Sequence, residues 1–415
     1  MSVSLYVRYL IGNWMDALYI ATSEELSAFC ERAKTSHILA VDTEFLREKT
    51  YFPKLCLVQV STGSEIAAID PLLIDNLTPL KELLENPQIV KIFHACSQDL
   101  EVLLEKMDCA CAPVFDTQVA AAFLGMRQQV SYAGLVENFA NVKLAKAESL
   151  TDWSKRPLDK EQLVYAEDDV RYLPAIYNQM VEKLIKLDRL SWIKPEMDQH
   201  TNIEQYRRDP YQAYLRLKRS GSLTRRQLAI AREVCAWREE TAAKRDVPRK
   251  WVLSDELIIE ICRRVPTTPD RLRKIRGTEQ ISQGGAVHLL DAIKRGQKTP
   301  ADQCPKIEYH AHPSAGSEGV VELMYALIRI VSEKEGIASP LIANKDDLTD
   351  LLLDKADARL KTGWRYQLVG KQLVGLLNGE VGLTVKNGRV ELLLKQLLNL
   401  RTSSYLNLVL AYIKR

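Results

Sequence analysis

Asp42 and Glu44 stand two residues apart at the end of an apolar run, in the stretch ILAVDTEFLRE. Side chains alternate across a strand, so the two acids share a face and repel each other unless a cation lies between them or solvent hydrates both. Two other stretches offer acids in comparable settings. Asp99, in KIFHACSQDLEVL, opens a predicted helix just after a second buried strand, where side chains emerge near the carboxyl edge of a sheet. Tyr165 and Asp169, in YAEDDV, are four apart on a predicted helix, which stacks hydroxyl and carboxylate about one turn apart. Asp168 is turned away by about 100°. Four such carboxylates, with no His or Cys cluster beside them, are hard oxygen ligands suited to Mg²⁺ or Mn²⁺ rather than zinc. Two ions about 4 Å apart would clamp the attacking and leaving oxygens of an in-line phosphoryl displacement.

The surrounding pattern supplies elements able to carry these residues. From about 20 to 185 the chain reads as α/β. A helix, SEELSAFCERAKT, leads into the strand ILAVDTEF, and KLCLVQVST and EIAAIDPL read as further strands. The helix LTPLKELLEN, the buried strand IVKIFHAC and the helix SQDLEVLLEKM follow, and then mostly helix to about 190. Strands followed by helices predict a mixed central sheet with helices on its faces. Beyond 190 strand patterning nearly disappears. Residues 208–297 read as one all-α unit and 318–395 as another, separated by the Pro- and His-bearing linker GQKTPADQCPKIEYHAHPSAGSEG. VPRKWVLSDELIIEI and SPLIANKDDLTDLLL occupy equivalent places after a long helix, the mark of a degenerate repeat.

At 415 residues, 46% apolar and 27% charged, the chain is long enough for two to four ordinary globular domains. No segment approaches the roughly 18 apolar residues of a membrane span, and the N-terminal 20 residues lack a secretion-signal pattern, so a cytoplasmic location is expected. The eight cysteines form no CxxC pair and no zinc-ligand spacing, which predicts buried reduced thiols; Cys109 and Cys111 are the one close pair. Residues 201–300 contain 22 Lys+Arg against 12 Asp+Glu, a charge of +10, and the rest of the chain carries −7. That asymmetry fits either a module attracting a polyanion or a solvated basic face.

Taken in order, VDTEF, HACSQDL and YAEDDV resemble the three motifs of the DEDD exonucleases, with the tyrosine of the DEDDy branch. DTEFLREKTYFPKLCLVQVS, FHACSQDLEVL, VFDTQVAAAFLG and TDWSKRPLDKEQLVYAEDDVRYL resemble the ribonuclease D family, and the two helical units resemble its HRDC domains. The resemblance covers about 20–395. It implies an RNase H-like exonuclease domain over 20–190, then HRDC domains over 208–297 and, degenerate, over 318–395. It makes Asp42, Glu44, Asp99 and Asp169 the metal ligands and Tyr165 the residue that orients the attacking water. A free Tyr titrates near 10 and is a poor base at neutral pH, which suits that aligning role. The implied reaction is two-metal hydrolysis of RNA 3′ ends releasing 5′-mononucleotides. Precursor tRNA is the implied substrate class, and a monomer the implied state.

Secondary candidates keep two readings each. His94 is a substrate contact or a satisfied core histidine. Phe45 stacks on a terminal base or packs in the core, and Gln59 is a site-facing amide or an ordinary strand residue. Asp116 resembles a family position and could equally cap the helix that begins there. Leu150 stands where many relatives carry a basic residue. The basic runs LRLKRSGSLTRRQ and AAKRDVPRKW have aromatic neighbours Tyr211, Tyr214 and Trp251, of which Trp251 is expected to anchor a core between helices. Two rival functions remain: a DNA 3′→5′ exonuclease, which shares the acids, and a nucleic-acid-binding module with a vestigial site.

Overall fold

The computed structural model describes residues 17–144, 151–306 and 316–394. The chain divides into two compact units, the first from residues 1–115, 145–174 and 198–308, the second from 116–144, 175–197 and 309–415. Along the chain run β1 (Leu18–Ile20), α1 (Ser23–Ala33), β2 (Ile38–Leu46), β3 (Lys54–Ser61), β4 (Ile66–Ile69), α2 (Thr78–Glu85), β5 (Val90–Phe93), α3 (Ser97–Met107) and β6 (Val114–Asp116). Helices α4 (Thr117–Phe123), α5 (Tyr132–Ala140), α6 (Lys160–Arg171), α7 (Leu173–Lys186) and α8 (Leu190–His200) come next. Then follow α9 (Arg225–Arg245), α10 (Arg249–Val252), α11 (Asp255–Arg264), α12 (Pro269–Arg273), α13 (Gln283–Lys298), α14 (Glu318–Glu335), α15 (Ser339–Ile342), α16 (Lys345–Leu352), α17 (Gly363–Arg365) and α18 (Lys371–Leu377). The hairpin β7 (Val381–Lys386) and β8 (Arg389–Leu394) closes the series.

The strands β1–β6 form the expected mixed sheet, in the order β1-β4-β3-β2-β5-β6, with β2 antiparallel to β3 and parallel to β5. Period-2 alternation sorts the residues of β2 onto two faces. Leu39 and Val41 join a core with Leu26 and Phe29 of α1, Leu80 and Leu83 of α2, and Leu100 and Leu103 of α3. On the other face Leu57 of β3 packs with Trp153 and Ala166, so α6 covers that side. The TDWSKRPL segment is pinned before α6 begins. Arg156 donates to the Asp70 carboxylate (2.8 Å from Nη2) and to the carbonyls of Cys56 and Trp153 (2.7 and 2.8 Å), and Asp70 has no exposed surface. Leu150 lies outside the described residues.

The first unit continues into the basic helices. In α9 a capping box, Thr224 with Gln227, satisfies free N–H groups at the start, a device that stabilises a helix by about 1 kcal/mol. The β2–β3 loop docks here: the backbone N–H groups of Tyr51 and Phe52 donate to Asp246 Oδ1 (3.0 and 3.1 Å), and the Tyr51 hydroxyl donates to Glu239 (3.0 Å). Tyr51 is thereby part of the helical core.

In the second unit, α14 buries Val321, Met324, Leu327, Ile328 and Val331 on one face, and Trp364 stacks on Trp192 with centroids 5.7 Å apart. Here one expectation is corrected. The all-α reading of 318–395 holds to Leu377, beyond which VGLTVKNGRVELLL is a β-hairpin. Asn387 and Gly388 both take positive φ (50° and 73°), the backbone a tight two-residue hairpin turn needs, and Lys386 pairs with Arg389. All eight cysteines are free and buried, as expected. No helix among the described residues is long and apolar enough to cross a membrane.

Helix α13 crosses α9 at Gly296, where an added Cβ would sit 2.4 Å from Ile230 Cα and 2.8 Å from Ala229 O. Both neighbours are backbone and cannot yield cheaply. Gly296→Ala is therefore expected to destabilise the protein by about 1–3 kcal/mol in chemical denaturation, and an unchanged midpoint would contradict the close crossing.

Candidate active site

Strand alternation dictates the site. Asp42 and Glu44 lie on the α6 face of β2, opposite Gln59 and Leu57 of β3, while Thr43 between them points to the α3 face. A register shift between Glu44 and Phe45 bends the strand just past the acids. Helix α6 then adds Asp169. One oxygen from each of Asp42, Glu44 and Asp169 lies within 4.8 Å of the others. Asp99 arrives from α3 on the far face. It is buried, and the Thr43 hydroxyl donates to its Oδ1 at 2.6 Å. Thr43 thus ties the helix that bears the second motif to the strand that carries the first pair of acids.

The cluster is electrostatically costly. Asp42, Glu44 and Asp169 each keep some surface, yet their surroundings are dense enough that burial is the largest cause raising each carboxyl. Asp42 is held well above the usual carboxylate range by burial and then by the charges of Asp99, Asp169 and Glu44. Burial, Asp169 and Asp99 push Glu44 up to about 8. Asp169 is raised to about 7 by burial, against a hydrogen bond from Tyr165 that favours its charged form. Among the described residues no Lys or Arg forms an ion pair with Asp42, Glu44 or Asp169. Such a set of clustered anions lacking a protein cation is the donor chemistry of a divalent-metal site.

Tyr165 sits one turn before Asp169, half-buried beside Trp153 with ring centroids 6.1 Å apart. Burial first, and then the charges of Asp169, Glu44 and Asp42, raise its hydroxyl further above 10. It stays protonated and donates. Asp168 turns away as its spacing predicts and takes Arg171 Nε at 3.0 Å.

The secondary candidates divide. Gln59 is buried on Asp42's face, and neither end of its amide has a hydrogen-bond partner. His94 is partly buried in the bend after β5, next to Ala95, whose φ of 62° is strained for a residue with a Cβ. Phe45 packs partly against the sheet core, with the Arg47 guanidinium 5.8 Å from its ring centroid. Asp116 belongs to the second unit and caps α4, accepting from the backbone N–H groups of Gln118 (2.8 Å) and Val119 (3.4 Å). Trp251 corrects an expectation: one-turn helix α10 turns Val252 inward and leaves Trp251 55% exposed, so it anchors no core. Sequence reasoning missed Thr43, whose place between two acids on a strand already assigns it to the opposite face. It also missed Tyr51 and its partners, which have no local pattern.

Residues 18–185 match the 3′-5′ exonuclease family, and residues 227–285 match the HRDC domain. Ribonuclease D of Jannaschia sp. (strain CCS1) is 40% identical over 381 residues, covering 90% of this chain and 98% of its own. Ribonuclease D of Nitrobacter hamburgensis is 38% identical, with 89% and 98% covered. Among solved structures, RNase D of Escherichia coli, an exoribonuclease involved in structured RNA processing, superposes with a TM-score of 0.78 at 31% identity, covering 88% of this chain and 99% of its own. The chain belongs to the ribonuclease D family and is a 3′→5′ exoribonuclease.

Proposed function

We propose that Asp42, Glu44, Asp99 and Asp169 hold two divalent cations, Mg²⁺ or Mn²⁺, and that the 3′-terminal phosphodiester of an RNA is hydrolysed beside them, releasing 5′-mononucleotides. The observation that carries this is the meeting of Asp42, Glu44 and Asp169 within 4.8 Å with no cationic side chain among the described residues paired to them. Bound divalent cations lower the pKa of a coordinated water towards 7 and offset charge on a leaving oxygen. The protein's own part is positional. Tyr165 donates its hydroxyl and orients the attacking water, with no capacity to act as a base while its proton is held so firmly. Thr43 fixes Asp99. Gln59, with both ends of its buried amide unbonded, is suited to a substrate or water contact, because an unsatisfied buried amide gains most from a new partner. His94 and Phe45 are proposed to contact the terminal nucleotide, and Asp116 to support it.

In this reading residues 20–190 are the exonuclease domain and 208–297 and 318–395 two HRDC domains, the second degenerate. Support for the repeat comes from the shared order of a long helix, a one-turn helix and a short capped helix: α9, α10, α11 and then α14, α15, α16. The substrate is RNA with a single-stranded 3′ end, and precursor tRNA trimmed by a cytoplasmic monomer is the proposed setting.

Asp42→Asn is expected to lower kcat/KM on a 3′-extended tRNA by roughly a thousandfold while RNA binding persists. Tyr165→Phe should cost roughly a hundredfold in kcat. Product lengths resolved with and without chelator test both, and chelator-resistant trimming or an active Asp42→Asn variant would remove the proposal. Degradation of matched RNA and DNA strands separates the DNA exonuclease reading.

Stability should also depend on pH in a defined direction. Glu44 and Asp169 titrate near 4 when unfolded but at about 8 and about 7 in the metal-free fold, so the folded state binds more protons between those values. Their contribution is full below about pH 4 and is lost as pH rises through 7 to 8. Mg²⁺ or Mn²⁺ is therefore expected to raise the Tm of stripped protein more at pH 8 than at pH 5.5. Equal shifts in a thermal scan at the two values would count against it.

A further inference from the structure

The TDWSKRPL segment places a large buried ring close to the acidic cluster without adding a ligand to it. Trp153 is 2% exposed, and its indole Nε1 finds no hydrogen-bond partner among the described residues. A buried N–H left unbonded costs stability, and Phe or Leu would fill apolar space without that cost. The wide ring therefore answers to something a neighbour needs. It packs with Leu57 and Ala68 of the sheet, with Ala166 of α6 and with the half-buried Tyr165. The Trp153 and Tyr165 ring centroids stand 6.1 Å apart, with the planes tilted by 42°. The other partly buried members of this cluster, Leu46, Leu72, Leu158 and Leu163, are all aliphatic.

Tyr165 needs such a neighbour. Ala166 and Val170 are buried and hold the α6 backbone, yet the phenol still turns about χ1 and χ2, and each staggered choice of χ1 carries the hydroxyl to a different place. A rigid ring beside it removes that freedom where a Leu side chain, itself rotatable, does not. Trp153 is in turn held on both sides of its own turn. Arg156 donates to the Trp153 carbonyl at 2.8 Å, to the Cys56 carbonyl of β3 at 2.7 Å and to Asp70 Oδ1, just past β4, at 2.8 Å. The Trp153 N–H donates to the Thr151 carbonyl at 3.1 Å, and the Thr151 hydroxyl accepts from Gln162 Nε2, in the first turn of α6, at 3.0 Å. The indole thus has one tether to the sheet and another to the helix that carries Tyr165.

We propose that Trp153 is the positioning residue for Tyr165. Its indole, anchored through Arg156 and Thr151, holds the phenol in the rotamer that keeps the hydroxyl beside Asp169, where the attacking water is aligned. The inference rests on the reading of Tyr165 as the residue that orients that water. It also gives the buried, unbonded indole a function that core filling does not.

The test is a double-mutant cycle on Mg²⁺-dependent, single-turnover removal of the 3′ nucleotide from a 5′-labelled single-stranded RNA. Trp153→Phe and Trp153→Leu are expected to lower the rate about threefold and about tenfold, with Mn²⁺ affinity, and RNA affinity in chelator, unchanged. In a Tyr165→Phe background, already slowed, neither substitution should slow cleavage further, because the hydroxyl they act through is gone. Equal losses with and without that hydroxyl, a matching loss of Mn²⁺ affinity, or a wild-type rate in both Trp153 variants would overturn the inference and leave Trp153 a core residue. Should Trp153→Leu fail to fold by circular dichroism, Trp153→Phe decides by the same criteria. A wild-type rate in Tyr165→Phe alone would instead overturn the reading of Tyr165, and the inference with it, through a separate arm of the cycle.

Discussion

Repulsion among carboxylates is the constraint around which the catalytic half of this molecule is built. Asp42, Glu44 and Asp169 place oxygens within 4.8 Å of one another, Asp99 adds its charge, and no Lys or Arg among the described residues pairs with the three. A fold selected for stability alone would separate such groups or pair them, because a buried uncompensated charge is among the most destabilising features a protein can carry. Here the surrounding structure is stiff enough to hold them together. The sheet supplies Asp42 and Glu44 from one strand, the Arg156–Asp70 ion pair anchors the segment that feeds α6, and Thr43 clamps Asp99 from the opposite face. The stored repulsion is what a divalent cation relieves.

The same strand also determines how the rest of the first unit relates to the chemistry. Beyond Glu44, β2 is bent by a register shift, passes Phe45 and Arg47, and leads to a loop whose Tyr51 is embedded in the helical core. After the acids β2 runs only through Phe45 to Leu46, and the short loop that follows reaches Tyr51, so the acids and the basic helices are closely linked along the chain. Arg47 and Arg208 converge on Glu101, which sits on the same helix as Asp99. The arrangement makes the helical region a continuation of the active-site edge.

Much of this was legible in the sequence because it rests on short-range periodicity. Two acids at a spacing of two after an apolar run identify a shared strand face, and Tyr165 and Asp169 at a spacing of four identify a shared helix face; both hold. The helical starts at Thr22, Thr224 and Ser254 are carried by side chains that cap, which is local chemistry. What local pattern does not encode is where distant surfaces meet. The docking of Tyr51 on Asp246 depends on residues 195 apart, and nothing near TYFP announces it. Trp251 was expected inside a core because Trp usually is, but in a one-turn helix its neighbour Val252 takes the inward position. The hairpin ending in VELLL was legible from its Asn387-Gly388 pair and alternation, and was masked by the helical run before it.

Anomalous diffraction from crystals soaked in Mn²⁺ tests whether the four carboxylates hold metal. Anomalous peaks are expected between the carboxylate oxygens of Asp42, Glu44, Asp99 and Asp169, each about 2.0–2.3 Å from its ligands. Mn²⁺ bound only elsewhere, with these four side chains arranged around a Lys or Arg or splayed apart into solvent, would contradict it.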